Sequence, residues 1–169
     1  MRLKTVLMII LCIALTMPVF AKKNDTPFGS QYKDTNMAVR IAVGGQANGL
    51  AIFPGVEYIV AKTEFAEGNM PIDIGVLAEG YLGIGSTMQF GVGAFATAHF
   101  GFRGLDIEIF ENLDLFLGLG VGFVTGYTFP ITIAGISGLS YFFNPNMSAF
   151  LEYNYLAASS GSLGIQFHF

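Results

Sequence analysis

The chain has 169 residues, of which 53% are hydrophobic and only 12% charged, and its net charge is −4. An ordinary soluble domain has about 25% charged residues, so this composition argues against one, and the acidic balance excludes nucleic acid as a partner. The mean hydropathy is +0.58, yet beyond residue 21 there is no run of about 18 uncharged residues suited to a spanning helix. The apolar stretches are rich in Gly, Phe, Tyr, Val and Ile, which favour sheet over helix. Hydrocarbon admits only helices and closed barrels, because only these satisfy their own backbone groups. A closed antiparallel, up-and-down transmembrane β-barrel is therefore the expected fold.

Arg2 and Lys4 form a basic head, Val6 to Leu15 an apolar core, and Val19-Phe20-Ala21 a small-residue cleavage site. Residues 1–21 read as a secretory signal peptide cut after Ala21. The apolar core is shorter than the about 20 residues a membrane anchor needs. Cys12 raises a lipoprotein alternative, which Leu11, standing where a small residue is required, disfavours. Six of the 8 basic residues then remain against 12 acidic ones, a net of about −6, and no cysteine is left for disulfide or thiolate chemistry. Residues 22–35 (KKNDTPFGSQYKDT) are polar and turn-rich and read as a flexible periplasmic leader. The barrel is assigned to residues 36–169.

Alternation with a period of two then recurs along the chain. Strand one is expected near Met37–Gly44, with Met37, Val39, Ile41 and Val43 outward and Arg40 inward. Strand two runs near Leu50–Ala61, with Glu57 inward and Pro54 suggesting a bulge. Strand three, near Ile72–Gly83, turns Asp73 and Glu79 inward. Strand four, Met88–Arg103, is the clearest. Its outer face reads Met88, Phe90, Val92, Ala94, Ala96, Ala98, Phe100, Phe102, while the other carries glycine with Gln89, Thr97, His99 and Arg103. Leu113–Val124 repeats the pattern as strand five, with Asp114, Phe116, Gly118, Gly120 and Gly122 on its inner side. Strands six to eight are placed near Ile131–Phe143, Met147–Tyr155 and Ser162–Phe169, with Glu152 inward on the seventh. The count is eight. Gly104–Asn112 is read as a long turn; as an extra hairpin it would make ten. A continuous uncharged face opposite a glycine-rich, semi-polar one suits lipid outside and a cramped lumen inside. Aromatics gather toward both strand ends, Phe100, Phe102, Tyr141, Phe143, Phe167 and Phe169 at one, Phe123, Tyr127, Phe129, Tyr153 and Tyr155 at the other, as two interfacial girdles would.

The C-terminus, Ser162-Leu-Gly-Ile-Gln-Phe-His-Phe169, has a polar residue, then Gly164, then Phe167 and Phe169 third-last and last. It resembles the terminal assembly signal of outer-membrane proteins. Gly138–Tyr155 (GLSYFFNPNMSAFLEYNY) resembles the penultimate hairpin of small eight-stranded barrels of the OmpX, OmpW and OmpA membrane-domain type. The resemblance implies an integral protein of the outer membrane of a diderm bacterium, surrounded by outer-membrane lipid. It further implies recognition of the C-terminal strand by the barrel-assembly machinery and a periplasmic location for both termini.

The inward ionisable residues Arg40, Glu57, Asp73, Glu79, His99 and Glu152 are expected to form a polar network in the lumen, with Arg40 paired to one or more of Glu57, Glu79 and Glu152. An eight-stranded interior is just wide enough to be filled by side chains, and inward glycines leave room that Phe95, Phe116 and Phe150 refill. The network is read first as structural and second as a gate. No serine neighbours His99 in sequence, and His168 is placed at the terminal end, so catalysis is not expected. Two distant histidines supply no metal site, and no cofactor is implied. The expected function is a structural or surface-interaction barrel, with a host or matrix molecule as its outer ligand. The alternatives are a narrow OmpW-like channel for small apolar solutes and, less favoured, an outer-membrane lipid-modifying enzyme. The outer connections (GGQANG, GIGST, TGYT, AASSGS) are short and uncharged, which disfavours a dedicated adhesin. With no Lys or Arg rim for phosphates, an envelope poor in lipopolysaccharide is expected.

Overall fold

The computed structural model describes residues 30–32, 35–46, 49–65, 70–102, 108–126, 130–156 and 160–169. The signal peptide with Ala21, most of the leader, Arg103, Tyr127 and Phe129 lie outside them.

Eight antiparallel strands close on themselves in sequence order. They are β1 (Met37–Gln46), β2 (Gly49–Phe65), β3 (Met70–Gly85), β4 (Gln89–Gly101), β5 (Leu113–Val124), β6 (Ile131–Asn144), β7 (Met147–Tyr155) and β8 (Ser160–His168). Within the stretch expected to be a long turn lies a four-residue helix, α1 (Glu108–Glu111), and among the described residues the barrel closes with eight strands rather than ten. The seam pairs β1 with β8, from Ala38↔His168 to Gly44↔Ser162. Below it, the Asn36 and Met37 amides both donate to the Phe169 carbonyl, at 3.0 and 3.1 Å. The start of β1 and the end of β8 thus meet at one mouth, the terminal mouth.

Period-two alternation turns one row of side chains out and the next row in. Outward residues such as Leu119 (74% exposed) and Ile133 (77%) are bare, whereas Phe95, Phe116 and Phe150 are buried inside. An apolar wall that no protein covers is compatible with hydrocarbon and not with water. Substituting Leu119→Arg is therefore expected to cost about 2–4 kcal/mol in lipid, because a charge near the bilayer midplane loses its hydration. Denaturant unfolding in liposomes measures this; on a water-exposed wall the change would be within about 0.5 kcal/mol.

Two details differ from the sequence reading. Pro54 makes no bulge. It faces outward, pairs with Ile41 and leaves the β2–β3 register unchanged between Ile52↔Leu82 and Gly55↔Glu79. Without an N–H it interrupts the ladder toward β3 but adds no residue. The register shifts instead between Ile59 and Ala61. Second, β2 and β3 run past their expected ends to Phe65 and from Met70, pairing with each other beyond their last partners in β1 and β4.

The inward glycines are occupied space. A Cβ on Gly138 would strike the Phe116 ring, one on Gly164 the Phe150 ring, and one on Gly120 the Ala94 carbonyl. Large rings and missing side chains interdigitate, which is how so narrow a barrel accommodates its buried phenylalanines.

Candidate functional site

Alternation places every one of the six expected lumen residues inside: Arg40, Glu57, Asp73, Glu79, His99 and Glu152 are each at most 4% exposed. They do not form one network centred on Arg40. They divide into two clusters and a separate contact.

The first cluster belongs to Arg40, on β1. Its guanidinium pairs with Glu152 of β7 and lies 3.5 Å from Glu79 of β3. Asn154, two residues along β7 and hence on the same face, donates through Nδ2 to Glu79 and, at 3.2 Å, to Glu152. The guanidinium carbon lies 4.1 Å from the centre of the Phe150 ring and 5.5 Å from that of Phe116. A planar, weakly hydrated cation tolerates this aromatic burial better than an ammonium would.

The second cluster is centred on His99 of β4. Its Nδ1 lies 2.8 Å from Asp114 of β5 and its Nε2 2.9 Å from Glu57 of β2. Each ring nitrogen can donate to its carboxylate only while the ring carries both protons. Thr97 donates to Glu57 at 2.6 Å and Gln166 donates at 3.3 Å, so Glu57 pairs with His99 and not with Arg40. The ring also stacks on Phe116, 5.8 Å between centres at 26°. Asp73, expected within the network, instead accepts from Ser30 of the segment before β1.

Sequence reasoning omitted Asp114, although the alternation of β5 already turned it inward. It also omitted Thr97, Asn154 and Gln166 as partners. The largest omission is Tyr32. The leader was expected to be flexible through residue 35, but Tyr32 is fully buried and Gln31 and Thr35 are nearly so. Tyr32 sits inside the terminal mouth, edge-on to His99 (4.9 Å), His168 (5.4 Å) and Phe142 (5.8 Å). Burial, followed by the charges of Glu57 and Asp114, holds its phenol well above the usual range, so the hydroxyl stays neutral. Beside it Ser148 and His168 Nε2 are 2.9 Å apart. His168 Nδ1 has no hydrogen-bond partner among the described residues, so no acid orients the ring.

Toward the other mouth lie apolar side chains, with Phe53 and Tyr81 5.6 Å apart between ring centres and Leu156 filling the space at Gly122. All are buried. Among the described residues no group of three His, Cys, Asp or Glu is arranged to hold a metal ion.

No family model matches the chain, and no curated protein does. Solved structures do. The outer membrane enzyme PagL superposes with a TM-score of 0.62 at 15% identity, over 77% of this chain and 98% of that one. A de novo designed transmembrane β-barrel gives 0.52 at 16% identity, over 81% and 98%. The Yersinia pestis outer membrane protein Ail gives 0.50 at 14%, over 80% and 100%. The chain has the fold of small eight-stranded outer-membrane β-barrels.

Proposed function

We propose that this chain is an integral outer-membrane barrel with a filled lumen, acting in a structural or surface-interaction role rather than as a pore. One observation carries the reading: the interior is occupied at three levels. Tyr32 fills the terminal mouth, the Arg40 cluster with Phe116 and Phe150 fills the middle, and Phe53, Tyr81 and Leu156 fill the far end. The lipid-facing wall and the outer-membrane proteins of like fold support placement in the outer membrane of a diderm bacterium, with the terminal mouth toward the periplasm.

The enzyme PagL shares the fold, yet the side chains here disfavour catalysis. Ser148 and His168 are buried beside Tyr32 and Phe142 with no acidic partner among the described residues, and both nitrogens of His99 are held by carboxylates. A hydrolytic dyad needs an open approach and an oriented base.

Planar-bilayer recording and liposome swelling with solutes graded by size and polarity test the closed lumen. Wild type should be silent in both. Arg40→Ala should be silent too, since the apolar end layer persists. Uptake by wild type overturns the reading in favour of the narrow channel, and conductance appearing only in Arg40→Ala would make the Arg40 cluster a gate.

The assembly partner is tested at Phe169, whose side chain is 63% exposed on the wall while its backbone closes the seam. Phe169→Ala keeps those backbone bonds. Refolding from urea into micelles should therefore be unchanged, while the heat-modifiable band recovered from cells falls several-fold. An equal loss in both assays would make the residue a stability element instead of a recognition signal.

A further inference from the structure

We propose that Tyr32 is a tethered occupant of an aromatic slot in the terminal mouth, and that its withdrawal opens this slot to an aromatic ring arriving from the periplasm. The inference rests on the closed-lumen reading, since it needs a compartment that the far end keeps sealed.

The slot is built by the barrel, not by the segment that fills it. Ile59 of β2, His99 of β4, Phe142 of β6 and His168 of β8 are buried around the phenol, and three of them present rings to it. His168 and Phe142 stack on each other at 4.6 Å and 27°, which braces that wall whether or not Tyr32 is present. The floor is polar, because Glu57 and Asp114 both hold His99 there. Such a pocket accepts an aromatic body with a neutral polar tip.

The occupant is held differently from the strands. Ser30–Tyr32 joins no strand ladder. It is anchored by Lys62 donating to the Tyr32 carbonyl, by Ser30 donating to Asp73, and by Gln31 reaching the Glu111 and Leu113 carbonyls at 2.5 and 3.2 Å. The Tyr32 hydroxyl, fully buried, has no hydrogen-bond partner among the described residues. A phenol seated without a bond to its one polar atom is a suboptimal ligand for its own slot. Withdrawal gives up side-chain contacts without breaking a strand, the kind of local opening that lies far below global unfolding in free energy. What opens is a one-ended pocket, because Arg40, Phe116 and Phe150 still close the middle.

The test is thiol labelling of Ser140→Cys in a Cys12→Ser background, with barrel integrity checked by heat-modifiable mobility in micelles. Ser140 lies one inward position deeper than Phe142 on β6, is 1% exposed and uses its hydroxyl for no bond, so the exchange is mild. Ser148→Cys, beside His168, is the second reporter should the first fail to fold. A water-soluble methanethiosulfonate is the reagent, and Thr87→Cys, in the exposed β3–β4 turn, is the fully accessible control. The reporter should label measurably but far more slowly than the control. Tyr32→Ala should raise the rate by about tenfold or more, and p-cresol should lower it again by refilling the slot. No labelling of the wild-type mouth overturns withdrawal. Equal rates with and without Tyr32 overturn the plug. Indifference of Tyr32→Ala to p-cresol overturns the aromatic slot. Bilayer recording of Tyr32→Ala separates this from the parent reading: it should be silent, and current there would overturn the closed lumen while leaving the plug standing.

Discussion

Arg40→Ala is expected to destabilise the folded barrel by about 3–5 kcal/mol, the range found when one partner of a buried ion pair is removed. Three losses coincide. Glu152 and Glu79, both buried, are left sharing a site and one Asn154 amide without a cation. The Phe150 ring loses the guanidinium stacked 4.1 Å from its centre. A void opens between Phe116 and Phe150, which the glycines beneath those rings do not fill. Urea unfolding in micelles, followed by heat-modifiable mobility, measures the change. Arg40→Lys should recover only part, because an ammonium cannot serve two carboxylates and stack on a ring together. Arg40→Met combined with Glu79→Gln and Glu152→Gln should recover most of the loss, since the penalty lies in uncompensated charge rather than in a missing attraction. If Arg40→Ala costs under about 1 kcal/mol, the cluster contributes no more than an exposed surface pair.

Much of this architecture was legible because a lipid-facing wall leaves a strict record. Each outward residue must be apolar, so the alternation of β4 and the limits of β5, Leu113–Val124, stand openly in the sequence. The record lapses where lipid ends. Lys62 sits in the part of β2 beyond Ala61 where hydrocarbon no longer dictates the pattern, and the β2–β3 hairpin was accordingly read too short. Pro54 signalled a disruption but not its kind, because a missing N–H breaks a ladder bond without specifying an extra residue. For the lumen, period-two alternation told which side chains point inward but not which meet. Pairing depends on stagger around the barrel, and this stagger set Glu57 beside His99 and left Arg40 to Glu79 and Glu152. Asp114 was on the inner face from the start. Tyr32 was hidden differently: its burial is wholly tertiary, and the lysine, aspartate and threonine after it read as solvated leader.

His99→Ala is expected to cost a similar amount, about 3–5 kcal/mol, and by the same logic. The imidazole stands between Asp114 and Glu57, and its removal leaves two buried carboxylates without their shared partner. The ring also separates Phe116 from Tyr32, 5.8 Å and 4.9 Å from their respective centres. His99→Leu with Glu57→Gln and Asp114→Asn keeps the volume and removes the charges, so it should lie nearer wild type than His99→Ala does. The informative comparison is the double variant. Phe116 stacks on His99 on one side and carries the Arg40 guanidinium 5.5 Å from its centre on another. A ring pinned from two directions loses its placement in stages, so the two substitutions should depart from additivity by about 0.5 kcal/mol or more. Strict additivity would mean that Phe116 stays where it is when either neighbour goes, and that the two charge clusters stabilise the barrel independently. Coupling would instead make the lumen one cooperative unit, in which the seat of Tyr32 against His99 is sensed at Arg40 through a single phenyl ring.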